Sequence, residues 1–153
     1  MESVLAILPQ AKGFLPQWLF ITSVLALGNT AQAYLTTSFT QRVYNTWNPK
    51  YPTSSTGKVS KVPSNSPATP LSSRTFGTWT FLQGVVRMYA AYNINDGRFY
   101  SLAMCVYAVA WMHFVSEWLV FRTAKWGEGL AGPVIVSTGS LIWMFLQWGS
   151  YVD

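Results

Sequence analysis

The chain has 153 residues, of which half are apolar, 16% are aromatic and only 10% are charged, with a net charge of +5. Soluble domains usually carry about a quarter charged residues, so this composition excludes a soluble globular enzyme and favours a membrane protein. One cysteine and one histidine exclude an intrachain disulfide, a C-x-x-C redox pair and a metal site built on several histidines.

Four apolar segments predict four transmembrane helices. About 20 residues, each rising about 1.5 Å, cross the hydrocarbon core of a bilayer. The segments cover residues 14–37, 75–95, 99–121 and 132–150, and the second is the least apolar because it is rich in Thr and Gly and carries Arg87. We therefore expect an all-α membrane protein in which residues 1–153 form one polytopic domain, a bundle of four transmembrane helices.

Residues 45–73 predict one long flexible loop outside the membrane. Most residues from Pro52 to Ser73 are Ser, Thr or Pro, and such a stretch buries too little apolar surface to offset the entropy of ordering. Basic residues concentrate in this loop and after the third helix, and only two lie on the opposite side. Because Lys and Arg are enriched on the cytosolic side, the loop is expected in the cytosol and both termini in the lumen. The seven residues on the first side are Arg42, Lys50, Lys58, Lys61, Arg74, Arg122 and Lys125, and the other two are Lys12 and Arg98.

The first helix carries a stripe of small residues, Thr22, Ala26, Thr30 and Ala33. Small side chains let helix backbones approach closely in lipid. The stripe fits packing against this chain's own helices and against another protein equally well, and self-association stays open.

His113 and Glu117 lie one turn apart on one face of the third helix. Ionisable residues within membranes usually face a bundle interior or a cavity. The two residues lack a nucleophile, and a metal site needs three or four ligands, so we expect a hydrogen-bonded buried pair that locks this helix to a neighbour. Proton-coupled transport is the alternative use of the pair.

Arg87 is expected to lie about 15 Å from the depth of Glu117 along the membrane normal. It would therefore snorkel to lumenal headgroups or meet a carboxylate of a partner protein. Arg74 and Arg122 lie nearer to the depth of Glu117 and could pair with it.

The segment Gly127–Gly132 matches G-x-G-x-x-G, the dinucleotide-binding pattern. That pattern functions only between a strand and a helix, and a membrane helix precedes it here, so no cofactor is expected. The glycines predict a tight turn that leads to Pro133 at the start of the fourth helix. The Trp and Tyr residues near the helix ends, Tyr44 among them, fit interfacial anchoring. The basic loop lacks a nucleic-acid-binding module, and its charge fits anionic lipid instead.

Several blocks in the same order resemble the ergosterol biosynthetic protein 28 family, small endoplasmic-reticulum membrane proteins of sterol synthesis. The resemblance starts from Arg74–Phe81. The other matching blocks are Gly13–Pro16 with Trp18–Leu19 upstream and, downstream, His113–Phe114, Ser116–Glu117, Phe121–Thr123, Gly132–Pro133, Val136–Thr138 and Ser140–Met144. The candidate bundle or partner contacts are Arg74, Thr75, Phe76, Gly77, Thr78, Trp79, Arg87, His113, Glu117, Arg122 and Thr123.

The resemblance implies a non-catalytic scaffold in the endoplasmic-reticulum membrane. Its implied partners are a sterol C-4 methyl oxidase, a 3β-hydroxysteroid dehydrogenase/C-4 decarboxylase and a 3-keto sterol reductase. The sequence itself agrees with a non-catalytic role, because one histidine cannot build the oxidase's iron site and no dinucleotide fold is predicted. A small four-helix transporter and a sterol-binding or sterol-transfer protein are the alternatives.

Overall fold

The computed structural model describes residues 8–46 and 66–152, and all regular structure within these two ranges is helical. Four long helices match the four predicted segments, and two short helices follow the first and the last of them. In chain order the helices are α1 (Leu15–Leu35), α2 (Ser38–Val43), α3 (Pro70–Tyr92), α4 (Gly97–Leu119), α5 (Glu128–Leu146) and α6 (Trp148–Tyr151).

Helices α1 and α3 run antiparallel and form the closest helix interface. The Ser23 hydroxyl donates a hydrogen bond to the Gly84 carbonyl over 2.5 Å. A Cβ added at Gly84 would lie 3.2 Å from the Ala26 Cβ, and one added at Gly77 would lie 3.1 Å from the Ala33 Cβ. The stripe of small residues therefore packs on this chain's own α3, where the Thr30 hydroxyl donates to the Gly77 carbonyl over 3.2 Å.

Helices α4 and α5 complete the interior through hydrogen bonds between buried groups. The Tyr100 hydroxyl on α4 donates to the Met144 carbonyl on α5 over 2.7 Å. The hydroxyls of Tyr107 on α4 and Thr22 on α1 lie 2.7 Å apart. Tyrosine hydroxyls thus cross-link three of the four long helices.

Two helices, α4 and α5, are long and apolar enough to cross a membrane. Helices α1 and α3 are long enough, and α3 is the less apolar of the two because it carries Arg87 and several Ser, Thr and Gly residues. Large apolar side chains face outwards from α1 and α3 as well as from α5, such as Leu25 (60% exposed) on α1, Leu82 (59%) on α3 and Ile135 (62%) on α5. Polar contacts inside and apolar side chains outside are typical of membrane helix bundles.

Helix α3 begins at Pro70, earlier than the predicted residue 75, so the predicted loop end at residue 73 is wrong. The Thr69 side chain accepts a hydrogen bond from the Ser72 backbone N–H, and the Ser72 hydroxyl oxygen accepts one from the Thr69 N–H. This capping box, with proline at the first helical position, starts the helix before the apolar run. Most of the predicted loop, residues 47–65, lies outside the described residues.

Helix α5 begins at Glu128, so the predicted glycine turn and the placement of Pro133 at the helix start are wrong. A Cβ added at Gly129 would lie 2.3 Å from the Arg42 carbonyl oxygen and 2.9 Å from the Val43 nitrogen. Gly129 therefore lets the first turn of α5 meet the backbone of α2 directly. Helix α5 ends at Leu146, and Gln147 separates it from α6, so the predicted single helix to residue 150 is interrupted.

Candidate functional site

Five of the predicted contact residues, together with Tyr44, lie close to one another at the end of the molecule where α3 begins and α4 ends. They surround an open cavity of about 500 Å³. We call this group the outer cluster, and it consists of Tyr44, Phe76, Trp79, His113, Glu117 and Thr123.

The outer cluster is centred on a hydrogen bond between two side chains. The Tyr44 hydroxyl oxygen lies 2.5 Å from His113 Nε2, and the two rings meet edge to face at 5.9 Å. Burial, with the nearby Glu117 as the second cause, raises the pKa of Tyr44 far above its usual range. Tyr44 therefore keeps its proton and can donate it to a neutral His113.

Glu117 bonds to the turn that follows α4 instead of to His113. Its carboxylate accepts a hydrogen bond from the Thr123 hydroxyl. Its backbone carbonyl accepts bonds from the N–H groups of Thr123 at 3.0 Å and Ala124 at 3.3 Å. His113 and Glu117 therefore do not bond to each other as expected. Each of them fixes a different connecting segment onto α4.

The expected ion pairs of Glu117 with Arg74 or Arg122 do not form within the described residues. Both arginines are exposed. Arg122 adopts a left-handed conformation, with φ of 57°, where the chain turns away from α4. The two guanidinium groups are therefore free to contact lipid or protein outside the chain.

Aromatic rings form the floor of the outer cluster. Phe76 is buried, and its ring centroid lies 5.3 Å from that of Trp79, 6.0 Å from that of Tyr44 and 6.4 Å from that of Phe114. Trp79 also meets His113 at 5.3 Å. Edge-to-face packing at these separations favours one fixed arrangement over a deformable one.

The residues 74–79 divide into an inward and an outward set. Phe76 lies in the aromatic floor, and Gly77 lies against Tyr34 and Ala33 of α1. Arg74, Thr75 and Thr78 are exposed. Within this block, the exposed set is what another protein could contact without disturbing the fold.

Arg87 lies apart from the outer cluster, in the interior. Its side chain is only 8% exposed, so the expectation that it snorkels to the headgroups is wrong. Its Nε donates to the Gln83 carbonyl over 3.1 Å, and its Cζ lies 5.1 Å from the centroid of the Tyr107 ring. It lines a second cavity of about 340 Å³, which we call the inner cavity.

Sequence reasoning missed two of these residues. Interfacial anchoring is the expectation for Tyr44, yet it lies in the outer cluster because α2 packs on the first turn of α5 and brings Tyr44 beside His113. Gln83 lines the inner cavity beside Arg87. Its position one turn before Arg87, on the same face of the helix, was the available signal.

The described residues contain no group of three or more His, Cys, Asp or Glu side chains that could hold a metal ion. What the outer cluster can do is hold two connecting segments and an aromatic floor in one geometry. That capacity suits recognition better than bond-making chemistry.

Large apolar side chains on the outside and two helices long and apolar enough to cross a bilayer indicate a helical protein of the membrane class. The family model for Erg28 like protein matches residues 15–142, from the start of α1 to late in α5, and the chain belongs to this family. The resemblance seen in the sequence blocks is thereby confirmed.

Relatives match over nearly their full length. Ergosterol biosynthetic protein 28 of Candida albicans is 42% identical over 97% of this chain and 96% of its own. The Saccharomyces cerevisiae protein of the same name is 40% identical over 95% and 86%. The human homolog is 31% identical over 86% and 83%. No solved structure matches the chain significantly.

Proposed function

We propose that this chain is a non-catalytic scaffold of ergosterol or related sterol biosynthesis. It tethers a sterol C-4 methyl oxidase, a 3β-hydroxysteroid dehydrogenase/C-4 decarboxylase and a 3-keto sterol reductase in the endoplasmic-reticulum membrane. Holding consecutive enzymes together raises the effective concentration at which an intermediate reaches the next one. Family membership, with relatives named for ergosterol biosynthesis, supports this proposal.

The observation that carries the scaffold proposal is how the outer cluster uses its ionisable side chains. His113 and Glu117 are each engaged by a neighbouring segment, through Tyr44 and Thr123. They fix a surface, and the exposed Arg74 and Arg122 flank it. A rigid surface with outward cations suits docking of acidic cytosolic segments of partner proteins.

The proposed topology has all four long helices crossing the membrane as one domain. The outward apolar side chains on α1 and α3 support this, although their mutual interface is polar. The long loop and the outer cluster would then face the cytosol, and the termini the lumen, as the distribution of basic residues indicates. Arg74 and Arg122 would thus lie on the side where the proposed partners expose soluble domains.

The test is affinity purification of the tagged full chain from its native membrane in mild detergent, with quantitative mass spectrometry. Reversing one exposed charge by Arg74→Glu should reduce recovery of the three enzymes about tenfold, the effect of losing one favourable rim contact and adding repulsion. Lys12→Glu is the matched control, because Lys12 is also exposed but precedes α1 at the opposite end. It should leave recovery unchanged at equal protein level.

Two results would overturn the scaffold proposal. The first is a wild-type chain that purifies without the three enzymes even after crosslinking in the membrane. The second is equal loss of recovery in both charge reversals, which would show a general effect of negative charge instead of a docking surface.

Proton-coupled transport remains the second candidate, because His113 and Glu117 both line the open outer cavity. A transporter in liposomes should move substrate with a proton gradient, and His113→Gln should abolish that movement. A scaffold shows no such flux. Sterol binding, the third alternative, requires a cavity between the helices.

A further inference from the structure

The inner cavity lies between all four long helices. It has a volume of about 340 Å³ and is lined along α3 from Phe76 to Arg87. That stretch of helix corresponds to about 16 Å, so the cavity is elongated along the helices. Its volume and its mostly apolar lining fall within the range of lipid and small-molecule sites.

Polar side chains without hydrogen-bond partners in the described ranges line the inner cavity. Nε is the only nitrogen of Arg87 that donates a hydrogen bond within the described residues, so both terminal nitrogens remain unpaired beside the cavity. The side-chain amides of Gln83 and Asn29 line the same space, and neither makes a side-chain hydrogen bond in the described ranges. Arg87 and Gln83 are 8% and 9% exposed, and side chains buried to that extent usually have hydrogen-bond partners for their polar atoms.

The cation of Arg87 also lacks a balancing anion. Glu128 lines the cavity at the first turn of α5, but it is exposed and forms no ion pair with Arg87 within the described ranges. The Tyr107 ring offers a cation–π contact at 5.1 Å. A ring face offsets only part of the cost of burying a guanidinium group.

We propose that the inner cavity binds a lipid carboxylate, with the carboxylate on the terminal nitrogens of Arg87 and the apolar body against the aromatic walls. Arginine's planar fork matches a carboxylate in a bidentate geometry, and the Gln83 amide, one turn away, can donate a further hydrogen bond. The apolar body would lie along Trp79 and Phe114. This site does not depend on the scaffold proposal.

The position of Arg87 favours a lipid carboxylate over the phosphate of a bilayer phospholipid. Arg87 lies more than a turn inside the end of α3, which continues to Tyr92. Phospholipid phosphates lie at the headgroup level, whereas a single carboxylate on an apolar body can enter between helices. Fatty acids and carboxylated steroids share this chemistry.

The experiment uses the purified full-length chain in detergent micelles and light-activated probes. The probes are diazirine-bearing palmitic acid, its palmityl alcohol counterpart, a diazirine steroid carboxylate and diazirine phosphatidic acid. The carboxylates should label peptides of α3 or α4 saturably and about tenfold better than the alcohol, because only they pair with the guanidinium. The stronger of the two carboxylates identifies the lipid class.

Variants assign the preference to Arg87. Arg87→Gln should abolish the preference for acid over alcohol, and Arg87→Lys should keep a reduced one because the charge remains. Lys12→Gln, a loss of exposed charge outside the cavity, should leave it intact. If Arg87→Gln fails to fold, the comparison of the acid probe with the alcohol probe on the wild-type chain still tests whether the cavity prefers a carboxylate.

Three outcomes would overturn the proposal. They are equal labelling by acid and alcohol, stronger labelling by phosphatidic acid than by either carboxylate, and no saturable labelling at all. The last result would mean that the cavity holds water only.

Discussion

The outer cluster and the inner cavity both place polar side chains among helices, but they differ in whether those side chains are paired. In the outer cluster, His113 and Glu117 each have a hydrogen-bond partner. In the inner cavity, Arg87 keeps both terminal nitrogens unpaired within the described residues. A paired group holds the fold together, whereas an unpaired buried group costs free energy unless a ligand meets it.

The largest change in stability is expected at Gly129. This residue lines the inner cavity and packs against the backbone of α2, the helix that leads to Tyr44. Gly129→Ala should lower the free energy of unfolding by about 3 kcal/mol, because the added Cβ meets the backbone of Arg42, which cannot rotate away. Thermal unfolding in detergent, followed by tryptophan fluorescence, measures the change.

Gly132→Ala is the matched control on the same helix. Nothing lies within 4 Å of a Cβ added at Gly132, and alanine favours helix over glycine. Equal melting temperatures of the two variants would contradict the close approach of α5 to α2.

Arg87→Met provides the next largest effect, with the opposite sign. In lipid-free micelles the free energy of unfolding should rise by about 2 kcal/mol, because an unbalanced buried cation is replaced by an apolar side chain. A fall in stability in lipid-free protein would show that Arg87 is paired by this chain itself, and the contrast between the two regions would then disappear.

Tyr44→Phe should lower the free energy of unfolding by about 1 kcal/mol, the usual contribution of one hydrogen bond. The change keeps the ring in the aromatic floor and removes only the bond to His113. A double-mutant cycle with His113→Phe isolates the bond, and additive losses in the cycle would show that the two side chains are not coupled.

The smallest effect is expected at Asp96, which caps α4 and pairs with Arg98 at 2.8 Å. The side-chain hydrogen bond from Arg98 lowers the pKa of Asp96. Its contribution to stability is therefore complete above its ordinary pKa and is lost as the pH falls through the lowered value. Both groups are open to solvent, so screening keeps the contribution small.

Melting curves of the wild-type chain and Asp96→Asn against pH check this effect. The two curves should converge at acid pH, where the wild-type carboxyl is protonated. A difference that persists there would assign the role of Asp96 to something other than its charge.

Local signals in the sequence predicted the four long helices but not all of their ends. Apolar runs placed α1 and α4 to within about two residues at each end. The start of α3 was missed because Thr69 and Ser72 cap the helix in a stretch whose composition is typical of loops. The start of α5 was missed because its glycines serve a close approach between helices, which composition alone does not distinguish from a turn.

The sequence by itself determined the membrane class, the four long helices and membership of the family, because hydropathy, length and motif order are properties of the chain. Only the tertiary structure decided which polar groups are paired. Tyr44 and His113 lie 69 positions apart and meet because α2 packs on the first turn of α5, which brings Tyr44 beside α4. Within the described residues Arg87 forms no ion pair, because Glu128, a carboxylate that lines the same cavity, is exposed at the first turn of α5. Pairing depends on distances between separate helices, and those distances are set by how the small residues of α1 and α3 pack.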